Sequence, residues 1–312
     1  MIGFIINPQS GHGKGTAVWH QVQQLWNKHP STYVYRITAQ AYDATHFAIQ
    51  LIQEHNIETL IVIGGDGTIH EVANGIWRCL ALGHTCVMGV IPAGTGNDYA
   101  KAHGIPTDVR LAVALLMGEP SLKRLDVIRY DEQHDLIALN SVGVGFDGLV
   151  AHLIETSRYK KMLNRFGLGK LIYFLTMFKV FWVYQPSVIR LTVDGVLYEL
   201  PDTWFVVTAN ISYFGGSMKI CPHAAADDGV LDVVVIQSST RLRLLPLMLS
   251  VYKGMHIHHP AVTMYRGKHI EVSSTGPLMM QADGEQAGIT PLNATIIAGA
   301  IQIIVKGNTQ DS

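Results

Sequence analysis

The sequence predicts an N-terminal α/β domain of Rossmann-like kind, built on a parallel sheet, followed by a mainly antiparallel β domain of sandwich type. Three observations carry this expectation. Continuous apolar runs alternate with helical periodicity up to about residue 124, the pattern of a parallel sheet with helices on both faces. Beyond it the chain shifts to many short strand-like runs with few helices, as sandwiches and barrels do. A length of 312 residues is generous for one small domain and suits two.

Taken in order, Ile2–Ile6 is a short apolar strand closed by Asn7-Pro8 and a glycine-rich turn. Thr16–Lys28 reads as helix and Tyr33–Thr38 as strand. In Asp43–His55 the apolar residues Ala44, Phe47, Ala48, Leu51 and Ile52 recur at helical spacing. Thr59–Ile63 is a strand ending in Gly64-Gly65-Asp66-Gly67, Thr68–Leu80 a helix, and Val87–Ile91 a strand ending in Pro92 and more glycines. In the second part Leu125–Arg129, Leu136–Val144, Val188–Val193, Trp204–Asn210, Val230–Ile236 and Ile270–Ser273 read as strands. Asp194-Gly195 marks a hairpin. One helical block, about 151–183, interrupts them. The expected domains are 1–124 and 125–293, and the last apolar run, within about 294–312, is free to return to either, undecided between them.

Composition narrows the function classes. The fractions (48% hydrophobic, 15% charged) fit a globular protein. A net charge of −1 gives no reason to expect nucleic acid as a partner. Cys79, Cys86 and Cys221 lack paired metal spacing, so buried thiols in a reducing compartment are expected. The first residues carry no basic leader, and Leu171–Tyr184 contains Lys179 and is shorter than a membrane helix needs. A soluble, cytoplasmic protein is the expectation. Charge is uneven: residues 1–150 hold 9 Lys/Arg against 13 Asp/Glu, and residues 151–312 hold 14 against 11. Between Arg158 and Arg190 seven basic residues stand with no acidic one. Five more follow from Val233 to Ile270, again without a carboxylate.

Strand, glycine turn, then helix presents bare backbone amides to a phosphate. The chain makes this arrangement three times, at Asn7–Gly15, Gly64–Thr68 and Gly94–Asp98. One such turn is weak, since any α/β protein needs glycines there; three at one sheet edge point to a phosphate ligand. Neither a P-loop nor the dinucleotide GxGxxG is present: Gly15 follows Lys14 where Ser or Thr is needed, and the third glycine is missing. His256, His258 and His259 invite a zinc reading; alternation on a strand would pair His256 with His258, but no third ligand is spaced to close a site. Leu171, Phe174, Phe178, Phe181 and Trp182 recur at helical spacing and read as core.

Six segments in this order resemble the diacylglycerol kinase catalytic domain superfamily, which includes bacterial diacylglycerol kinases and sphingosine kinases. They are NPQSGHGKG (7–15), GGDGTIHEVANG (64–75), IPAGTGNDYAK (91–101), VGVGFDG (142–148), DDGVLDVVVI (227–236) and DGE (283–285). His70 stands where members usually carry Asn, and Lys101 where they carry Arg. The resemblance implies ATP and Mg2+ as cofactors, with a nucleotide site at Asn7, Pro8, Gln9, Ser10, Gly11, Lys14, Thr38, Gly64, Gly65, Asp66, Gly67, Thr68, Ile69, His70, Glu71, Thr95 and Asp98. Asp66 acts through a metal or its water shell, because a carboxylate repels phosphate; as residue types alone, Asp66 and Asp98 serve equally well as helix N-caps. The same resemblance puts the general base at Glu285 or Asp283, undecided between them, and a separate Mg2+ site at Asp228 with the carbonyls of Ala225 and Val230.

The function implied is transfer of the ATP γ-phosphate to a lipid hydroxyl, with diacylglycerol giving phosphatidic acid. The alternatives are a soluble-metabolite kinase of NAD kinase type and a non-catalytic lipid-binding regulatory protein on the same fold. The partners expected are a membrane lipid and an anionic membrane surface at the inner face, met through the basic stretch 158–190; a homodimer stays open.

Overall fold

The computed structural model describes residues 1–28, 32–119, 121–156 and 169–307, with the side chains of 169–174 outside that description. Arg158, Lys160, Lys161 and Arg165, and the side chains of Lys170, Leu171 and Phe174, therefore lie outside the described residues. The chain divides into two compact units, Met1–Leu125 with Gly299–Ser312, and Asp126–Ala298.

The first unit opens with β1 (Ile2–Ile6), α1 (Ser10–Trp26), β2 (Tyr33–Ile37), α2 (Asp43–His55) and β3 (Thr59–Gly64). It continues through α3 (Asp66–Leu80), β4 (Val87–Pro92), α4 (Asp98–Ala102), α5 (Val109–Met117) and the first part of β5 (Ser121–Asp131). Its strands pair in the order β2-β1-β3-β4, all parallel. The end of the last strand joins β4, also in parallel, through Gln302 and Ile303. The three apolar strands are buried along nearly their whole length. On one face Phe4 packs its ring against Trp19, Trp26 and Tyr33, which fixes α1 on the sheet.

The second unit contains β6 (Leu136–Ala138), β7 (Ser141–Gly145), α6 (Phe146–Thr156), α7 (Gly169–Val183), β8 (Ser187–Val193), β9 (Val196–Ala209) and β10 (Leu231–Gln237). After α8 (Leu245–Ser250) come β11 (Val262–Gly267), β12 (His269–Ser274), β13 (Met279–Ala282), β14 (Glu285–Ile289) and β15 (Leu292–Val305). It is an antiparallel β-sandwich. The 14-residue β9 organises it, pairing with β8 through its first half and with β7 and β10 through its second. The Asp194-Gly195 hairpin forms with both residues at positive φ, 48° and 84°, as a two-residue primed turn requires.

Three local expectations need correction. The strand expected over 136–144 is two strands, because the amides of Leu139, Asn140 and Ser141 donate to the Asp283 carboxylate and leave the ladder. Residues 255–258 form a 3-10 turn, so no strand alternation pairs His256 with His258; His256 is buried, its Nε2–H on the Ile220 carbonyl at 2.9 Å. Phe178 and Trp182 are exposed, and only Phe181 of the described aromatic positions on that helix enters the core.

Candidate active site

Because β1, β3 and β4 run parallel, the turns that follow them emerge at one edge of the sheet. Their own side chains and backbones tie them together. In the first, Gly11, His12 and Gly13 all take left-handed conformations (φ 57°, 64° and 90°), so the backbone loops before regular helix resumes. Asn7 Nδ2 donates to Thr68 Oγ1 at 2.9 Å, and its Oδ1 accepts the Gln9 amide at 3.0 Å. The Gly65 amide donates to Ser10 Oγ at 3.2 Å. The second and third turns touch backbone to backbone: a Cβ on Gly94 would come within 2.6 Å of Gly65 Cα. Only glycine permits that approach. Thr95 Oγ1 stands 3.5 Å from His12 Nε2, which closes the circle between the third turn and the first.

Asp66 is the first residue of α3, whose N-cap is Gly65. Its Oδ1 accepts the Tyr99 amide at 3.0 Å. Asp66 therefore caps α4 across the site, and the expectation that it caps its own helix is corrected. Asp98 is likewise the first residue of α4, behind a left-handed Asn97, and its buried carboxylate lies 3.8 Å from Lys101 Nζ. Thr38 is buried at the end of β2, its amide on Ile6 O. Lys14 and Gln9 are exposed, and Pro8 and Gly11 half-buried. Ile69 is core, and Glu71 Oε2 accepts the Ala44 amide at 3.1 Å while its carbonyl accepts from Thr45. Those two hold α2 against α3. His70 Nε2 lies 3.3 Å from Asn74 Nδ2.

This geometry fits a phosphate group. First-turn amides of α3 have no intrahelical acceptor, and they stand at the positive end of the helix dipole. Gly65 and Gly94 there let two turns pack backbone to backbone with no Cβ between them.

In the second unit Asp283-Gly284 forms the tight turn between β13 and β14, with φ 52° and 90°. The Asp283 carboxylate accepts three amides, from Leu139, Asn140 and Ser141, at 2.7–3.0 Å. It clamps two loops together. Glu285, at the start of β14, is exposed.

The same unit holds a cavity of about 100 Å³ lined by sixteen residues, of which only Asp147 and His256 carry ionisable groups. Asp147 follows β7 and folds back over Gly143, where any Cβ would collide with its carboxylate. Oδ2 accepts from Gln281 Nε2 at 3.2 Å, and among the described residues none bonds Oδ1. Burial pushes its carboxyl up to about 7, so near neutral pH it carries a proton about half the time. Burial also lowers the His256 pKa and keeps that ring neutral.

Residues 140–305 match the family described as the YegS C-terminal NAD kinase beta sandwich-like domain, and residues 1–130 match the diacylglycerol kinase catalytic domain. The chain belongs to the diacylglycerol kinase catalytic domain superfamily. A relative named "Putative lipid kinase YtlR" from Bacillus subtilis is 29% identical over 299 residues, covering 92% of this chain and 94% of its own. A diacylglycerol kinase from Mycobacterium tuberculosis is 29% identical over 304 residues, covering 96% and 93%. A crystal structure from Bacillus anthracis described as a "putative diacylglycerol kinase" superposes with a TM-score of 0.78 at 23% identity, over 98% of this chain and 95% of that one. This last likeness shows the fold.

Within this kinase superfamily member, Asp228 Oδ2 is paired with Arg266 and Oδ1 accepts the Val230 amide at 3.1 Å. Arg266 also reaches Asp232 Oδ1 at 3.3 Å. Among the described residues no cluster of three or more His, Cys, Asp or Glu could hold a metal. Asp147, Gln281, His256 and His12 were not assigned roles from sequence. VGVGFDG contained Asp147, but its burial is a tertiary property; a positive φ at His12 leaves no sequence signal at all. No helix among the described residues is long and apolar enough to cross a membrane.

Proposed function

We propose that this protein transfers the γ-phosphate of ATP to the hydroxyl of a membrane lipid, diacylglycerol giving phosphatidic acid. The observation that carries the lipid half of this reading is the cavity of the β-sandwich, walled by Phe, Trp, Met, Leu, Ile and Val side chains. A polar metabolite would strip its water to enter such a space, whereas an acyl chain gains by the transfer. The nucleotide half rests on the three linked glycine turns.

In this reading the first-turn amides of α3 bind the nucleotide phosphates, Gly65 and Gly94 let the second and third turns meet, and Ser10, Asn7 and Thr68 hold the turns in place. Mg2+, when bound with the nucleotide, supplies charge that offsets the triphosphate. Asp228 with the carbonyls of Ala225 and Val230 is a donor set suited to a partly hydrated Mg2+, and such an ion would compete with Arg266 for the carboxylate. The acceptor hydroxyl is oriented and deprotonated by Glu285. Asp283 is the poorer base because its lone pairs already serve three amides.

The test is incubation with labelled ATP, Mg2+ and a lipid panel in mixed micelles, with product identification. Phosphatidic acid is the expected product; phosphorylation of NAD without any lipid would overturn the reading. Glu285→Ala should lower kcat by a factor of about 100 or more with nucleotide affinity unchanged. Asp283→Ala should instead lower stability by about 3 kcal/mol, the scale of losing bonds to a charged acceptor. If Asp283→Ala keeps the melting curve but loses turnover, the two roles are reversed.

A further inference from the structure

Residues 241–258 run as a 3-10 turn (Arg241–Leu244), α8, and two further 3-10 turns (Val251–Lys253 and Met255–His258). One side packs inward, where Leu244, Leu247, Val251 and His256 are buried and line the cavity. An ordinary surface helix would turn polar residues to solvent on the other side. Here Leu242, Leu245, Leu249, Tyr252 and Met255 are exposed, Leu249 at 78% and Leu242 at 62%. The charges among them have one sign: Arg241, Arg243 and Lys253 stand in this segment, Arg266 and Lys268 follow, and no carboxylate occurs between Val233 and Ile270. The C-terminal end of α7 flanks the same cavity through Met177 and Phe181 and exposes Phe178 and Trp182 beside Lys179. Arg241 joins the two, donating from Nη2 to Tyr184 O at 2.7 Å.

We infer that residues 241–258 are a membrane-docking surface, which seats Leu242, Leu245, Leu249, Tyr252 and Met255 in the interfacial zone of an anionic bilayer. Apolar side chains ringed by cations are what such an interface binds, the cations adding to the apolar transfer. A protein partner with acidic groups would satisfy the charges, but five exposed aliphatic and aromatic side chains with no polar group between Arg243 and Ser250 suit acyl chains better. The surface also has a use in the lipid reading, which this inference deepens: the helix that meets the bilayer outside is the wall of the apolar cavity inside.

The test is co-sedimentation of the full chain with vesicles of phosphatidylcholine alone and of phosphatidylcholine mixed with phosphatidylglycerol. Wild type should bind the mixed vesicles more tightly, and rising salt should narrow the difference. Leu242→Glu/Leu249→Glu should weaken binding by at least about thirtyfold, since two leucines lose their transfer. Arg243→Ala/Lys253→Ala should erase most of the preference for the anionic mixture. Leu242→Ser/Leu249→Ser, with a melting curve, replaces the Glu variant if that one fails to fold. Wild-type binding by the folded leucine variant refutes the surface. So does a wild-type dimer that this variant splits with vesicle binding unchanged, because a second copy then covers the face. Turnover of a short-chain, water-dispersed diacylglycerol separates the two readings. Turnover retained in the leucine variant alongside lost vesicle binding supports both, whereas lost vesicle binding with no lipid phosphorylated by wild type leaves the docking surface standing and the kinase reading overturned.

Discussion

The linked glycine turns of the α/β unit and the apolar cavity of the β-sandwich are built by opposite means. The turns depend on backbone. Gly65 and Gly94 meet Cα to Cα, the α3 amides face outward from a helix end, and short side chains such as Asn7 and Ser10 bridge neighbours at 2.9–3.2 Å. The cavity depends on side-chain bulk drawn from residues 146 to 256, with two ionisable groups whose charged forms burial disfavours. A backbone site recognises charge and tolerates almost no added atom; a side-chain cavity recognises apolar shape and can be refilled. Substitutions should therefore act sharply in the first and gradually in the second.

The largest effect is expected at Gly94→Ala. The new Cβ meets backbone, which cannot rotate away, so we expect ATP binding to be lost and stability to fall by about 3 kcal/mol, at the upper end of overpacking costs. Calorimetric titration of the folded variant is the measurement. ATP affinity equal to wild type would mean that the turns are not the nucleotide site.

Next comes Asp147→Asn. The folded carboxyl titrates near 7 and the unfolded one near 3.8. As pH rises between those values the unfolded state gives up its proton first, so wild type loses stability across this window and the full cost is present above about pH 8. A shift of about three units corresponds to about 4 kcal/mol, and water reaching the cavity should reduce it to about 2–3. Asn keeps an acceptor for Gln281 and does not titrate. Urea melts should show the variant more stable than wild type at pH 8 and level with it near pH 4; a constant difference across pH would mean that Asp147 is not buried as described.

The smallest effect should come from filling the cavity. Met248→Trp is expected to raise the lipid KM about tenfold, about 1.4 kcal/mol, with ATP affinity unchanged. An unchanged lipid KM would place the acyl chain elsewhere and break the contrast between the two sites.

Much of the first site was legible in the sequence because its parts are local. A glycine turn after an apolar strand is a run of consecutive residues, and parallel pairing of Ile2–Ile6, Thr59–Gly64 and Val87–Pro92 brings such runs to one edge. What local pattern missed there is the exchange between turns: Asp66 reaches over to the Tyr99 amide, 33 residues on, and its type and position fit an ordinary N-cap equally well. In the second unit the missing information is longer in range. Asp283 and the loop it clamps are separated by more than 140 residues, so an Asp-Gly-Glu string reads as a turn, a base or both.

Alone, the sequence determined the alternation of strand and helix, the three phosphate-type turns and the sign of the charge on each part, since each follows from neighbours in the chain and from composition. Tertiary structure alone decided that Asp283 is spent on backbone amides, that Asp147 is enclosed and half neutral, and that Leu242 and Leu249 face solvent while Leu244 and Leu247 do not. The physical reason is common to all three. Desolvation and exposure depend on which distant segments cover a side chain, and an apolar residue at helical spacing carries the same signal whether its helix turns it to a core, a cavity or a bilayer.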